Sequence, residues 1–184
     1  MPILPKEPDI YPEALLDDPL AVEDTWWLLY TRSRQEKALL RYLRQHEIPH
    51  YAPMIPQRYR SPAGRIRESF VPLFSTYVFL RGGNEARYQA VCSGNVMKAD
   101  EIVQVNDLVQ DLAQIRDLIA MEVPMTLESR IEAGDRVRIK NGHFAGYEGL
   151  VKRRENERVL LISVRFMEQG VSVRLDDCQV EVLG

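Results

Sequence analysis

The chain has 184 residues, a net charge of −3 and a hydrophobic fraction of 45%, which fits a globular protein of one ordinary domain or of two unequal ones. No apolar run approaches the ~20 residues needed to cross a bilayer, and the sequence does not start with a basic stretch followed by an apolar one, so we predict a cytoplasmic protein with no membrane partner. Cys92 and Cys178 are far apart in sequence and predict two reduced, buried thiols rather than a disulfide or a metal pair.

The first 24 residues form an acidic leader with several prolines. They hold one lysine and seven acidic residues, whereas residues 25–120 hold thirteen basic and nine acidic residues. The prolines and the many acidic residues predict that residues 1–24 are a flexible tail. The basic excess of the following segment is compatible with a nucleic-acid partner but is too small to establish one.

A strand and a helix follow the leader. The alternating apolar residues from Trp26 to Thr31 predict a buried strand. Ser33 and Glu36 match a capping box, so we expect a helix to begin there and to continue to about His46. The helix is amphipathic, and one side of it carries a basic stripe: Arg34, Lys37, Arg41 and Arg44. This stripe indicates either a solvated surface or a surface that faces phosphate groups.

The next segment predicts a hairpin. YAPMI, at 51–55, predicts a short strand that leads outward, and Ser61-Pro62-Ala63-Gly64 is a turn signal. Four arginines flank this turn: Arg58, Arg60, Arg65 and Arg67. Arginines interleaved with tyrosine on a hairpin suit contact with a strand of nucleic acid. An ordinary exposed hairpin is the alternative.

The hairpin leads directly into VPLFSTYVFL, at 71–80, which predicts a strand. A period of two divides its residues between two faces: Ser75, Tyr77 and Phe79 on one, and Thr76, Val78 and Leu80 on the other. Both faces are largely apolar. The segment is therefore either a central strand covered on both sides or a strand whose aromatic face is covered only when a partner binds.

The rest of the first predicted domain is mixed. Residues 84–92 can form a short helix, the segment from Val96 to Val105 reads as short strands around a turn, and residues 106–120 have apolar residues at helical spacing behind an Asn106 or Asp107 cap. We therefore predict an α+β fold for residues 25–120, with an antiparallel sheet packed against helices.

Residues 121–130 predict a linker, and the pattern changes after it. Residues 131–184 combine β-branched alternation with glycines at 134, 142, 146 and 149, which suit the positive-φ turns and bulges of a very small barrel. We expect a five-stranded β-barrel, a size of domain that is only marginally stable.

Two sets of motifs resemble one known family. Gly134-Asp135-Val137-Ile139-Gly142-Phe144-Gly146-Gly149-Val151 resembles a KOW motif, which alone fits proteins of both translation and transcription. WWLLYTRSRQEKA, YAPMI and PLFSTYVFL, in this order and spacing, resemble the N-terminal domain of the NusG family. That domain followed by one KOW domain is the architecture of the family, and the resemblance covers about residues 25–184. YAPMI after a Trp-rich start is also similar to specialised antiterminators of the RfaH type.

The resemblance implies a transcription elongation and antitermination factor. In the family, the N-terminal domain binds the clamp helices of RNA polymerase through an apolar patch and favours the elongating enzyme over the paused one. Tyr30, Tyr77 and Phe79 match the aromatic residues of this patch. The match favours a partner interface on that face of the strand at 71–80.

The resemblance also implies a nucleic-acid surface around the first helix. In the family this surface lies near the non-template DNA, so Arg32, Arg34, Lys37 and Arg41 are candidates for contact with non-template DNA or nascent RNA. The arginines of the hairpin are further candidates.

The KOW domain of the family recruits a ribosomal protein or a termination factor through the bend between its later strands. Here that bend contains Phe166 and Met167, which we predict to bind this partner. Packing of Phe166 in the core is the alternative.

Two departures from the family pattern argue against a housekeeping role. Ser75-Thr76 replaces a common Pro-Gly, and Val96-Met97-Lys98 replaces a Phe-Val-Gly run. An RfaH-type refolding of the KOW domain into helices is also not favoured, because LLISVRF and VSVRL have strong β propensity.

Two other classes of protein are alternatives to a transcription factor. An RNA-binding protein linked to translation is the main alternative, and it would bind structured RNA with a steep salt dependence. An enzyme is the weakest alternative, because no nucleophile–base pair, phosphate loop or metal-ligand cluster is recognisable and His46, His50 and His143 are isolated in sequence. We therefore predict no catalytic residues, no metal and no cofactor, and we expect a monomer.

Overall fold

A computed structural model describes residues 6–128, 135–154, 157–175 and 179–183. The chain has an α+β fold, as predicted, and it divides into two compact units, Met1–Val105 and Asn106–Gly184. None of the helices in the described ranges is both long enough and apolar enough to span a bilayer.

The first unit contains a sheet, a hairpin and two helices. Its described elements are β1 (Ile10–Tyr11), β2 (Trp26–Thr31), α1 (Glu36–Gln45), β3 (His50–Tyr51), β4 (Met54–Arg60), β5 (Ile66–Pro72), β6 (Tyr77–Arg81), α2 (Asn84–Cys92) and β7 (Val96–Ile102). Five of these strands form an antiparallel sheet in the order β1-β3-β6-β2-β7, while β4 and β5 pair with each other as the predicted hairpin.

The main core of this unit lies between the sheet and the two helices. Alternate residues of the neighbouring strands β2 and β6 face the same side, as the period-two pattern predicted. Burying each large apolar side chain contributes roughly 1.5–3 kcal/mol, so this contact holds α1 against the sheet. The buried residues of this cluster are Trp27, Leu29, Leu39, Leu40, Leu43, Ile48, Ala52, Met54, Val78, Leu80 and Ala90.

The single strand predicted over 71–80 is two strands in the structure. β5 ends at Pro72 and β6 begins at Tyr77. Between them the chain turns, and Thr76 takes a left-handed conformation with a φ of 70°. The Glu36 carboxylate accepts a hydrogen bond from the Thr76 backbone N–H at 2.7 Å, which stabilises this turn.

The capping box predicted at Ser33 and Glu36 does not form. Helix α1 begins at Glu36, and its N-cap residue, Gln35, makes no side-chain capping bond. Glu36 is buried and bonds to the turn before β6 instead. A tertiary contact thus replaces the local capping pattern.

Residues 6–24 do not form the predicted flexible leader, because buried apolar side chains attach them to the first unit. Strand β1 pairs with β3, and Leu15, Leu16 and Ala21 are buried. The indole N–H of Trp26 donates a hydrogen bond of 2.7 Å to the Ala21 carbonyl.

Ion pairs also hold the leader. The Arg81 guanidinium on β6 donates to Asp18 and to Asp24, each at 2.6 Å. Two of the acidic residues that suggested a flexible tail therefore neutralise an arginine that is only 11% exposed.

The second unit is an antiparallel sheet with one long helix. Its described elements are α3 (Val105–Ala120), whose first residue belongs to the first unit, and β8 (Met125–Glu128), β9 (Asp135–Ile139), β10 (Glu148–Arg154), β11 (Glu157–Val164), β12 (Gln169–Leu175) and β13 (Val180–Val182). The strand order is β13-β9-β10-β11-β12-β8.

The predicted five-stranded barrel is not confirmed. The paired strands number six within the described ranges, and β13 and β8 lie at the two ends of the strand order. The extra strand, β8, comes from the predicted linker and pairs with β12 from Met125↔Val173 to Glu128↔Gly170.

Glycines shape this sheet in two ways. Gly142 and Gly146 have φ values of 84° and 88°, which supports the predicted positive-φ turns. Gly149 allows a close approach of two strands, since a Cβ atom added there would lie 2.3 Å from the Leu161 carbonyl oxygen. Gly134 lies outside the described residues.

Helix α3 packs in the second unit, although the sequence predicted that it closes the first domain. The helix buries an apolar face that includes Leu112, Ile115 and Leu118, and polar contacts join it to the strands of the second unit. Asp111 bonds to Arg165, and the Gln114 side chain bonds to both the N–H and the carbonyl of Glu148, at 2.7 and 3.2 Å.

The burial predicted for Cys92 is wrong, although its thiol is free as predicted. This residue ends α2 and is exposed as a free thiol, not buried. Cys178 lies outside the described residues.

Candidate functional site

The predicted aromatic patch contains one exposed pair of tyrosines. Tyr30 on β2 and Tyr77 on β6 are direct cross-strand partners. Their rings lie 5.4 Å apart at 64°, an edge-to-face arrangement typical of stabilising aromatic pairs. Tyr30 is 38% exposed, and Tyr77 is half-buried. The pair is therefore partly accessible to solvent on neighbouring strands of the sheet.

Phe79 does not share this exposure. It lies on the same face of β6 as Tyr77 but is fully buried, next to its cross-strand partners Leu28 and Tyr51. Of the three predicted polymerase-binding residues, the structure therefore offers only Tyr30 and Tyr77 to a partner. Burial of Phe79 follows from its position near the middle of the sheet, whereas the tyrosines lie at the ends of their strands.

Some of the basic residues around α1 are exposed to solvent, whereas others pair with the leader. Arg32 and Arg34 are exposed in the loop before the helix, and Lys37 is half-buried in its first turn. Arg41 forms a bidentate pair with Glu7 of the leader, with both N–O distances at 2.7 Å. Part of the predicted phosphate-facing stripe is thus already bound to a carboxylate.

The leader contact extends along the same face of the helix. Arg44 Nη2 donates to the Pro8 carbonyl at 2.5 Å. The hydrogen bond from Arg41 lowers the pKa of Glu7, and the charges of Arg41, Lys37 and Arg44 add to this effect. Glu7 therefore lies in the positive field of three cations on α1.

All four predicted arginines of the hairpin are exposed. Arg60, Arg65 and Arg67 lie near the turn, and Arg58, whose side chain is 78% exposed, also pairs with Glu68, its direct cross-strand neighbour, at 3.0 Å. The exposed Tyr59 lies opposite Arg67, which matches the arginine and tyrosine pattern expected for contact with nucleic acid.

The predicted KOW-partner residues lie in the second unit, on a short 3-10 helix, Arg165–Met167. Phe166 is 45% exposed and Met167 is half-buried. Phe166 is therefore not a core residue.

The position of this short helix is fixed by α3. Asp111 is buried and accepts hydrogen bonds from the Arg165 backbone N–H and from its guanidinium, at 2.8–3.1 Å. Asp107 pairs with the same guanidinium at 3.1 Å. Burial raises the pKa of Asp111, although the bonds from Arg165 oppose this change.

Comparison with known proteins identifies the family. A family model described as transcription termination factor NusG matches residues 24–130, and a KOW motif model matches residues 133–165. The chain belongs to the NusG family. The NusG match extends through α3 and β8, which the structure groups with the second unit.

This NusG-family chain is similar to two solved structures. One is described as domain interaction in Thermotoga maritima NusG, with 18% identity over 89% of this chain and 99% of that chain and a TM-score of 0.45. The other is an archaeal complex, MjSpt4:Spt5 in conformation B, with 15% identity over 86% of this chain and 97% of that chain and a TM-score of 0.25. No curated protein matches the chain.

Two contacts that hold these surfaces in place were not predicted from the sequence. Glu7 and Pro8 join the leader to Arg41 and Arg44 of α1, and Asp111 fixes the turn that carries Phe166. A signal for the first contact was present, because an acidic leader precedes a basic helix in the same chain. No local pattern indicates the second contact, whose residues are 54 positions apart.

No group of three or more potential metal ligands occurs among the residues that the structure describes.

Proposed function

We propose that this chain is a transcription elongation and antitermination factor that binds the clamp helices of RNA polymerase through its N-terminal domain. The observation that carries this proposal is the exposed pair of Tyr30 and Tyr77 in a domain of the NusG family. Tyrosine is among the residues that anchor protein interfaces, because it combines large apolar area with low conformational entropy. A rigid sheet adds pre-organisation, since neither ring has to be ordered on binding.

The factor suppresses pausing or termination by a shift of population. If the tyrosine pair binds the closed clamp better than the open one, the equilibrium between these states moves by that difference in affinity. No covalent step is required. The factor acts in the cytoplasm as a monomer.

The basic residues supply a second contact, with non-template DNA or nascent RNA. The basic residues around α1 and the four hairpin arginines support this contact by their charge, and all of them except the half-buried Lys37 are exposed: Arg32, Arg34, Lys37, Arg58, Arg60, Arg65 and Arg67. Arg58 is less suited, because Glu68 already neutralises it.

The second unit recruits a ribosomal protein or a termination factor through Phe166 and Met167. Support comes from an exposed phenylalanine on a turn that Arg165 and Asp111 hold in place. An aromatic side chain in a fixed position is a suitable anchor for a partner.

The experiment compares binding of purified RNA polymerase by the wild-type chain, Tyr30→Ala, Tyr77→Ala and Tyr88→Ala. Tyr88 is the matched control, because it lies on α2 and is 64% exposed. We expect each variant of the pair to lose at least about 30-fold in affinity, as a hot-spot residue does, and Tyr88→Ala to bind as the wild type does. Circular dichroism melting confirms that the variants fold.

The proposal fails if folded Tyr30→Ala and Tyr77→Ala bind the polymerase as tightly as the wild type. If no form of the chain binds the polymerase while all of them bind structured RNA, the RNA-binding alternative linked to translation replaces it.

A further inference from the structure

The later part of the leader is attached to the first unit by strong contacts, and its earlier part by weak ones. Its later part is anchored by buried groups: Leu15, Leu16 and Ala21 are 0–5% exposed. Asp9 is also tied down, because its carboxylate accepts from the Met54 N–H at 3.0 Å.

The part before Asp9 is held to α1 by two contacts at the surface. One is the pair of Glu7 with Arg41, whose side chains are 41% and 55% exposed. The other is the bond from Arg44 to the Pro8 carbonyl. Exposed ion pairs are weak because water and salt screen them, so this segment can leave α1 while the rest of the leader stays bound. Lys6 of the segment also pairs with Asp9, at 3.0 Å, and this contact has to open or to move with it.

The contact made by Glu7 has the geometry of phosphate recognition. The Nε and Nη2 atoms of Arg41 each donate to one oxygen of the carboxylate. A guanidinium binds a carboxylate and a phosphate in the same bidentate way. Lys37 and Arg44 contribute to the same positive field. Glu7 therefore occupies a position where a nucleic-acid phosphate would bind.

We propose that Glu7 is an internal competitor of nucleic acid, which occupies Arg41 until a phosphate group displaces the segment Lys6–Pro8. This inference rests on the proposed nucleic-acid contact of α1 and adds its regulation. Because Glu7 competes for Arg41, nucleic acid binds the α1 surface less tightly than it would without Glu7. Isolated phosphates bind too weakly to displace it, whereas a strand that also contacts Arg34 and Lys37 does so.

The test measures the affinity of a fluorescein-labelled single-stranded DNA oligonucleotide by fluorescence anisotropy at fixed salt. The full chain is compared with Glu7→Gln and with Glu13→Gln. Glu13 is the matched control, because it is an exposed acid of the same leader and its removal changes the net charge equally. We expect Glu7→Gln to bind about two- to fivefold more tightly than Glu13→Gln, the range set by the strength of an exposed ion pair.

A second comparison repeats both substitutions in an Arg41→Gln background. The advantage of Glu7→Gln should disappear there, because the site that Glu7 blocks no longer exists. An advantage that persists would be a general effect of charge and would overturn the inference.

A third comparison separates this inference from the function on which it rests. If Arg34→Gln/Lys37→Gln weakens DNA binding but Glu7→Gln and Glu13→Gln bind alike, the α1 surface stands and the competitor is refuted. If Arg34→Gln/Lys37→Gln binds as the wild type does, the nucleic-acid role of α1 fails and the competitor fails with it.

Discussion

Replacing Arg165 by leucine should strongly destabilise the second unit. Arg165 is the cation that compensates Asp111, a carboxylate that is 4% exposed and accepts several of its hydrogen bonds. Since burial already raises the pKa of Asp111, the ionised carboxylate is the costly form. Removing its partner leaves a buried charge without compensation.

The expected magnitude follows from this asymmetry. Breaking a buried ion pair from one side costs about 3–5 kcal/mol, and we expect Arg165→Leu to lower the free energy of unfolding by that amount. Asp111→Asn should cost less, roughly 1–2 kcal/mol, because Arg165 keeps Asp107 as a partner and is 28% exposed to water. Arg165→Leu/Asp111→Leu should recover part of the loss, because an apolar replacement of a buried pair is often neutral but the backbone N–H of residue 165 loses its acceptor.

Urea unfolding at neutral pH, followed by circular dichroism, measures all four proteins. Equal dependence of the free energy on urea concentration in each protein confirms that only stability has changed. A loss below about 1 kcal/mol for Arg165→Leu, or a double variant less stable than either single variant, would refute the reasoning.

Two further substitutions test His50, which is buried, and Gly149, where two strands lie close together. Burial lowers the pKa of His50 to about 4, below the ~6.5 of an unfolded chain. Between these two pH values the unfolded state therefore binds more protons than the folded state. The contribution of His50 to the free energy of unfolding is fully present above about pH 6.5, and about 3 kcal/mol of it is lost as the pH falls to about 4. His50→Phe should remove this component, and unfolding experiments at about pH 7 and pH 4.5 with an unchanged pH dependence would contradict it. Gly149→Ala should cost about 1–3 kcal/mol, because its Cβ would meet the Leu161 carbonyl. Thermal unfolding measures this cost, and an unchanged melting temperature would show that the strands separate freely.

The elements that depend on local periodicity were predictable from the sequence. The alternation from Trp26 to Thr31 gives β2, and the apolar spacing of residues 106–120 gives most of α3. The break between β5 and β6 was not predicted, because Leu73 and Phe74 continue the apolar pattern and Ser75-Thr76 also fit the alternation of a strand. A hydrogen bond from Thr76 to Glu36, which is 40 residues away, stabilises the turn at this break.

The structure of the leader could not be predicted from its composition, because composition does not show which side chains are buried. Its acidic residues and prolines are typical of a flexible segment, but only a few apolar side chains are needed to anchor it. Asp18 and Asp24 meet Arg81 on a strand that lies more than fifty residues later. The sequence contains these charges but not their partners.

Like the fold, the candidate site was predictable only in part. Tyr30 and Tyr77 meet as a pair in the structure, whereas the burial of Phe79 could not be read from a strand with two apolar faces. The pairing of Arg58 with Glu68 could have been found, because a hairpin with its turn at Ser61–Gly64 places these residues opposite each other. The roles of all these residues in binding stay predictions.

Glu148 contacts two neighbouring elements, one through its backbone and the other through its side chain. Its peptide groups bond to Gln114, whose side-chain amide imitates the edge of an adjacent strand, and its carboxylate bonds to Arg136 and Arg138 on β9. The two tasks are chemically independent. Variation at 148 would change the charge beside β9 while both backbone bonds to Gln114 remain, and loss of the amide at 114 would remove those two bonds while that charge stays balanced. The helix also buries Leu108, Leu112, Ile115 and Leu118, so these polar contacts can vary separately while the apolar packing keeps α3 in place.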